Sequence, residues 1–145
     1  MTPSAHAPVW PSLAALVGRL VFAALFLMAT AFKFAGIGDT AGFIASAGFP
    51  FPLFLAWAAA IFEALLVLAF LSGAFFTEAS LLAAIYVLFL GFAFHGPSHW
   101  GGDQIGQMEF GAFVSHFPFA AGLLFAAAYG PGRWALRHGL IRRGR

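Results

Sequence analysis

The sequence predicts an all-α fold: a bundle of four transmembrane helices with both termini in the cytoplasm. Two observations predict it, the length of four apolar runs and the scarcity of charge. The runs cover Leu13–Phe34, Phe51–Gly73, Ser80–Phe94 with its flanks, and Ala112–Tyr129. A hydrocarbon core about 30 Å thick is crossed by about 20 mostly apolar residues, and a helix satisfies its backbone groups without water. Only 8% of the 145 residues are charged, against about a quarter in soluble domains.

The composition excludes several classes of function. The chain has no cysteine, which rules out disulfides, thiolate metal sites, thiol redox chemistry and covalent haem attachment. We therefore expect no covalently bound cofactor and no thiolate-bound metal. Most of the arginines lie in one C-terminal tail, which is typical of membrane topology, so we expect no nucleic-acid partner.

The residues just before the first run mark the start of a helix. Trp10 favours the membrane interface, while Pro11 and Ser12 favour the first positions of a helix. The residues before it lack the basic segment of a signal peptide, so we expect the run to be retained. The chain then divides into an N-terminal tail (1–11), one four-helix domain (12–130) and a basic amphipathic cytoplasmic tail (131–145).

The connections between the runs differ in length and polarity. Gly48–Pro52 precedes the second helix, and since proline disfavours helix in the residue before it, we expect an extended lead there. Residues 96–111 are polar and glycine-rich, which predicts a loop before the fourth helix. Gly130–Gly132 ends that helix. Apolar residues alternate with arginines after it, which predicts a segment lying on the inner membrane surface.

The basic residues predict the orientation. Neither long connection, 35–50 or 96–111, contains Lys or Arg. The tail, by contrast, contains Arg133, Arg137, Arg142, Arg143 and Arg145. Loops rich in Lys and Arg stay in the cytoplasm, so the C-terminus is predicted to be cytoplasmic. With four crossings the N-terminus lies there too, and both long connections face outward.

Two charged residues lie deep within the first two runs. Arg19 is about six residues into the first helix, hence about 9 Å from the cytoplasmic side. Glu63 is about twelve residues into the second helix, hence about 12 Å from the same side. Charges at such depth tend to pair, so we predict an Arg19–Glu63 ion pair. Two roles fit Glu63: a partner in a clamp between helices, or a group that carries a proton.

Five polar side chains are predicted to gather on the outer side. Lys33 ends the first helix, His95 ends the third and His116 begins the fourth, with Gln104 and Glu109 on the connection between the last two. Converging polar groups of this kind form a site for a quinone carbonyl or a proton. The alternative is that each side chain reaches separately to water or lipid head groups.

The histidines leave further alternatives open. Histidine is a common ligand of haem and metal ions. His95 and His99 have the spacing of one helical turn, but Pro97 argues against a continuous helix between them. Histidines bonded to loop backbone are the third alternative. We predict no metal site.

Several short motifs along the chain resemble the DoxX family of small bacterial four-helix membrane proteins, over about residues 18–133. The motifs are Gly18-Arg19-Leu20, Phe26 and Lys33; Gly48-Phe49-Pro50 and Glu63; and Gly122-Leu123-Leu124 and Gly130-Pro131-Gly132-Arg133. The chain departs from the family pattern at two places. Ala64-Leu65 stands where members often have Gly, and Ser115-His116 where many have a Lys-Asn pair.

The resemblance implies a function as well as a fold. The family is similar to subunits of thiosulfate:quinone oxidoreductases, which implies an integral subunit of a quinone-linked redox complex in the bacterial inner (cytoplasmic) membrane. Such a subunit would contact lipids, quinone and other membrane or peripheral redox subunits, and any enzymatic role would be that of a quinone-linked oxidoreductase subunit. A structural scaffold without chemistry, a stand-alone quinone-dependent membrane oxidoreductase and a small transporter are the alternatives.

Overall fold

The computed structural model describes residues 9–136 and 139–140, and every regular element in them is helical. The helices are α1 (Trp10–Ala35), α2 (Ile37–Ser46), α3 (Pro52–Ser72), α4 (Phe76–His95) and α5 (Gln104–Tyr129), with a 3₁₀ turn at Pro97–His99. α1, α3, α4 and α5 are long and apolar enough to cross a membrane. The predicted all-α fold with four spanning helices is confirmed for the described residues.

The spanning helices pack as two antiparallel pairs, α1 with α3 and α4 with α5. We call the end of the bundle with the α3–α4 turn and residues 130–136 the tail end. The end with α2 and residues 96–103 is the loop end. Which end faces the cytoplasm stays a prediction from the arginine-rich tail.

Aromatic rings join three helices in the tail-end half of the bundle. The rings of Phe22 and Phe26 on α1 lie 5.6–5.8 Å from Phe70 on α3 and 5.7 Å from Phe119 on α5, measured between centroids. Phe70 has no exposed surface. Ring pairs at such separations stabilise a core beyond the burial of their surface alone. This cluster therefore helps to hold α1, α3 and α5 together in the tail-end half of the bundle.

The connection between α1 and α3 contains a helix that the sequence analysis did not predict. It contains the ten-residue helix α2, which packs on α3 and buries Ile44. The sequence contains no clear sign of this helix because a short helix gains most of its stability from packing, which composition does not reveal.

The fourth spanning helix also begins earlier than predicted. α5 starts at Gln104, within the segment expected to be a loop. The side chain of Asp103 accepts a hydrogen bond from Gly106 N at 2.8 Å, which satisfies one of the free N–H groups of the first turn. Gln104 and Glu109 therefore lie on a helix, and the loop expectation for them was wrong.

The predicted tails fall partly outside the described residues. α1 begins at Trp10, inside the expected N-terminal tail of residues 1–11. Residues 131–136 and 139–140 contain no helix, and the rest of the expected amphipathic segment lies outside the described part of the chain. The described tail folds back onto the α3–α4 turn, where Leu136 N donates to Ser72 O at 2.9 Å.

Candidate functional site

A cavity of about 850 Å³ lies in the loop-end half of the bundle, and all five helices contribute to its wall. Most of the wall is apolar and comes from Ala29, Phe32, Phe43, Ile44, Phe49, Leu55, Ala58, Ala59, Phe62, Phe89, Leu90 and Phe94. The polar side chains on the wall are Lys33, Asp39, Thr40, Tyr86, His95 and His116. An apolar cavity with a few converging polar groups is the usual form of a small-molecule site.

The most buried charge of the site lies beneath its wall. Glu63 Oε1 lies 2.9 Å from Lys33 Nζ and accepts a hydrogen bond from the Tyr86 hydroxyl at 2.7 Å. The Glu63 side chain is 2% exposed and that of Lys33 21% exposed, so the pair is shielded on the carboxylate side and accessible on the ammonium side. One carboxylate oxygen thus joins α1, α3 and α4.

The predicted Arg19–Glu63 ion pair was wrong, because Glu63 pairs with Lys33 instead. Side chains on a helix lean toward its N-terminus. On α1 this lean carries Arg19 toward the tail end, whereas on the antiparallel α3 it carries Glu63 toward the loop end. Lys33 leans back toward the bundle centre and therefore meets Glu63.

Arg19 has a different role, as a clamp at the tail end. Its guanidinium donates to the carbonyl oxygens of Phe70 (2.9 Å), Leu71 (2.7 Å), Pro131 (3.1 Å) and Trp134 (2.7 Å). The last carbonyls of a helix have no partner within the helix, and a guanidinium carries five donors in a fixed plane. Arg19 thus supplies donors to carbonyls at the end of α3 and links the segment after α5 to that helix end.

Two histidines form the loop-end part of the wall. His95 Nδ1 lies 2.6 Å from Glu109 Oε2, and His116 Nδ1 lies 2.7 Å from Ala112 O. A carbonyl oxygen only accepts, so Nδ1 of His116 carries the proton and, in the neutral ring, Nε2 is an acceptor. The two ring centroids are 5.3 Å apart. Both rings are thus fixed through Nδ1, and neither Nε2 has a hydrogen-bonding partner within residues 9–136.

A glycine on α4 makes room for one of these rings. A Cβ added to Gly91 would lie 3.1 Å from both Cβ and Cγ of His116, tighter than ordinary contact. The α4–α5 packing at this point therefore depends on the missing side chain and sets where the imidazole of His116 lies.

Three of the five residues predicted for the outer site come together. Lys33, His95 and His116 line the same cavity. Glu109 supports His95 from α5, as the hydrogen bond shows, and does not close the cavity. Gln104 is exposed at the first residue of α5 and is not part of the wall.

The sequence analysis missed Tyr86, Asp39 and Thr40. A signal for Tyr86 was available, because a phenol hydroxyl in the middle of an apolar run needs a hydrogen-bonding partner. Glu63 was an acceptor at a comparable depth, but it was assigned to Arg19 alone. Asp39 and Thr40 reach the cavity only because α2 is a helix packed on α3, which had no clear sequence signal.

No group of three or more His, Asp or Glu side chains within residues 9–136 and 139–140 is arranged to hold a metal ion. The two nearest histidines are each held by a separate partner on α5, as described above. The polar side chains on the cavity wall include Lys33, Tyr86, His95 and His116, whose chemistry is hydrogen bonding and proton exchange.

Comparison with known proteins gives one match. The family model described as DoxX matches residues 14–96, which is more than half of the chain and runs from α1 to the end of α4. The match includes Arg19, Lys33, Glu63, Tyr86 and His95, whereas α5 lies beyond it. No curated protein and no solved structure shows significant similarity to the chain.

Proposed function

Because the chain belongs to the DoxX family, we propose that it is an integral membrane subunit of a quinone-linked redox complex and that its cavity binds a quinone. The cavity is the single observation that carries this proposal. Its apolar wall suits the ring and tail of a quinone, and its few polar groups suit the carbonyls.

The polar groups are placed to recognise a ring with oxygens. The Lys33 ammonium is a donor with 21% exposure, and it reaches the cavity while held by Glu63. His95 and His116 also line the wall, and their Nε2 atoms have no hydrogen-bonding partner among the described residues. A quinone carbonyl accepts a hydrogen bond from Lys33, and a hydroquinone hydroxyl donates one to an imidazole Nε2. Both redox forms thus have a partner in one site.

The same proposal covers partners and location. The subunit lies in the bacterial inner membrane with both termini in the cytoplasm, as the arginine-rich tail favours. Its outward apolar side chains contact lipid, and the bound quinone exchanges electrons with other membrane or peripheral redox subunits. A stand-alone quinone-dependent oxidoreductase would use the same cavity without those subunits.

A scaffold without chemistry is the second candidate. The observation that favours it is the Arg19 clamp, in which a buried cation serves only backbone carbonyls. A scaffold uses its charges to fix its own helices for partner contacts. The two candidates differ in one measurable property, which is saturable binding of a quinone to the cavity.

The test measures quinone binding to the purified chain in lipid nanodiscs. A short-tailed benzoquinone is titrated against the wild type, His116→Phe and the matched control Ser115→Ala, whose side chain is exposed beside the site. We expect saturable binding, weakened about tenfold or more by His116→Phe through lost hydrogen bonding and lost space, and unchanged in Ser115→Ala. No saturable binding would leave the scaffold as the function, and saturable binding with equal affinity in all three proteins would show that the quinone does not contact His116 and would contradict the proposed site.

A further inference from the structure

The two carboxylate oxygens of Glu63 differ in their contacts: Oε1 has two polar partners, and Oε2 has none among the described residues. Oε1 forms the ion pair with Lys33 and accepts the hydrogen bond from the Tyr86 hydroxyl. Oε2 is buried and has no hydrogen-bonding partner among the described residues. A buried polar atom without a partner is costly, and native structures seldom leave one without a reason. Glu63 therefore has an acceptor oxygen that its contacts with Lys33 and Tyr86 do not use.

Two side chains link the cavity to the Glu63 carboxylate, because each lines the cavity wall and also contacts the carboxylate. Lys33 and Tyr86 line the cavity, and each contacts Glu63 Oε1, at 2.9 and 2.7 Å. Glu63 itself is not on the wall. A proton leaving a ligand in the cavity thus has a route of two hydrogen bonds, through the Tyr86 hydroxyl, to a buried acceptor.

We infer, on the basis of the proposed function, that Glu63 is the proton acceptor for a phenolic hydroxyl bound in the cavity, such as that of a hydroquinone. The ligand O–H bond breaks and its proton passes to the Tyr86 oxygen. The Tyr86 O–H bond breaks in the same step and its proton passes to Glu63 Oε1. Tyrosine ends neutral, Glu63 becomes a carboxylic acid, and the ligand becomes an oxyanion.

Charge is balanced at both ends of this transfer. Before it, the Lys33 ammonium is paired with the Glu63 carboxylate and the ligand is neutral. After it, Glu63 is neutral and the ammonium is paired with the ligand oxyanion. Unpaired charge inside a membrane protein is expensive, so an exchange of one ion pair for another keeps the step accessible. The transfer moves one proton and no electron.

The other ionisable groups around the cavity suit this role less well. Asp39 on α2 is exposed, so a proton on it exchanges directly with water. Lys33 already carries its proton and serves as the counter-charge. On α4 and α5, His95 and His116 are fixed through Nδ1 and can orient the ligand ring through Nε2. Glu63 alone among these groups combines burial with an unpartnered oxygen.

The ligand class follows from the geometry of the route. The cavity must accept an apolar body, and the ligand must present a weakly acidic hydroxyl within reach of Lys33 and Tyr86. A hydroquinone fits, as does any alkyl phenol. A hydroquinone that has lost one proton is a better electron donor than the neutral form, which is how the site would assist a redox partner.

The test uses a nitrophenol with an alkyl tail as the probe, with the intact chain in nanodiscs. Its ionised form absorbs at longer wavelength than its neutral form, so one titration reports both binding and ionisation. The pH is set so that the free probe is neutral. We expect saturable binding with phenolate absorbance, a new protonated-carboxyl band in the infrared difference spectrum, and no proton released to the medium.

Two variants locate the proton. In Glu63→Gln the carboxyl band is absent, and any probe that ionises releases about one proton per molecule bound, as the stoichiometry of the transfer requires. Tyr86→Phe keeps the Lys33–Glu63 pair, and thus a folded protein, but breaks the route. We expect it to lower the ionised fraction of bound probe about tenfold, the effect of losing one charge-assisted hydrogen bond. Tyr129→Phe, an exposed tyrosine at the far end of α5, is the control and behaves as wild type.

The outcomes separate this inference from the proposed function. Saturable binding of the probe in its neutral form, with no carboxyl band in the wild type, overturns the proton role of Glu63 and leaves the binding site intact. A carboxyl band that persists in Glu63→Gln assigns the proton to another group and also overturns it. If neither probe nor quinone binds saturably, the proposed function fails and this inference fails with it.

Discussion

Lys33 Nζ on α1 lies 2.9 Å from Glu63 Oε1 on α3, and this ion pair marks the floor of the cavity. The other cation of α1, Arg19, is buried, lies fourteen positions earlier in the sequence and donates hydrogen bonds only to backbone carbonyls. One helix face therefore carries two cations with separate tasks. Arg19 holds the tail end of the bundle together, and Lys33 brings a charge to the site.

The Lys33–Glu63 pair predicts strong non-additivity. Lys33→Met leaves the buried Glu63 carboxylate without its counter-charge, and Glu63→Leu leaves the Lys33 ammonium without one. Each change alone should lower the free energy of unfolding by about 3–5 kcal/mol. The double variant should recover most of that loss. Unfolding in mixed detergent micelles measures all three, with Leu65→Ala on the exposed face of α3 as the control. Losses that simply add in the double variant would contradict the pairing.

The Arg19 clamp predicts a loosened tail. Arg19→Met removes four hydrogen bonds and leaves carbonyls at the end of α3 without donors, which should cost about 3 kcal/mol. The amide of Leu136, which donates to Ser72, should exchange with deuterium much faster. Arg133→Gln is the matched control, because Arg133 is exposed and lies 5.8 Å over the Trp134 ring. Unchanged exchange at Leu136 in Arg19→Met would rule out the clamp.

The contact of Gly91 with His116 predicts a change in the site at little cost in folding. Gly91→Ala places a methyl group 3.1 Å from His116 Cβ and Cγ, so the imidazole must shift. We expect quinone affinity to fall while the four helices remain, as measured by titration and circular dichroism. Gly111→Ala, on the same helix as His116 with open space around it, should leave affinity unchanged. Equal affinity in the two variants would show that the position of His116 does not matter.

The capping of α5 by Asp103 predicts a moderate loss of stability. Asp103→Ala removes the acceptor for Gly106 N and should lower the free energy of unfolding by about 1 kcal/mol, typical of a lost N-cap. Gln104→Ala is the control, since its side chain is exposed and has no capping role. If the two variants are equally stable, the early start of α5 does not depend on this cap.

The orientation of the bundle remains a prediction with a direct test. Reporter fusions at Gly102 and after Arg145 should report opposite sides of the membrane, with the C-terminal fusion in the cytoplasm. Replacing the tail arginines with glutamine is the informative variant, because it removes the basis of the prediction without touching α1–α5. Both fusions on one side would contradict four crossings.

The pattern of apolar and polar residues predicted the four spanning helices and some of the residues on the cavity wall. The four apolar runs predicted the four spanning helices, since only a helix satisfies its backbone within lipid. Lys33, His95 and His116 were predicted to converge from their places at helix ends, and they line one cavity. The helix α2 and the early start of α5 were not predicted, because both depend on packing and on a single capping contact.

The sequence by itself determined the all-helical class and the number of spanning helices, because length and polarity suffice for these, and its short motifs pointed to the family. Only the tertiary structure decided which charge Glu63 meets. Counting residues along the two helices placed Arg19 and Glu63 at a similar depth in the membrane. That count does not show in which direction each side chain extends. In an antiparallel pair of helices the side chains lean in opposite directions along the bundle. Two residues whose backbones lie at the same depth, such as Arg19 and Glu63, can therefore have charged groups that lie far apart. The same geometry brings Lys33 and Tyr86 to Glu63 and puts the carboxylate under the cavity.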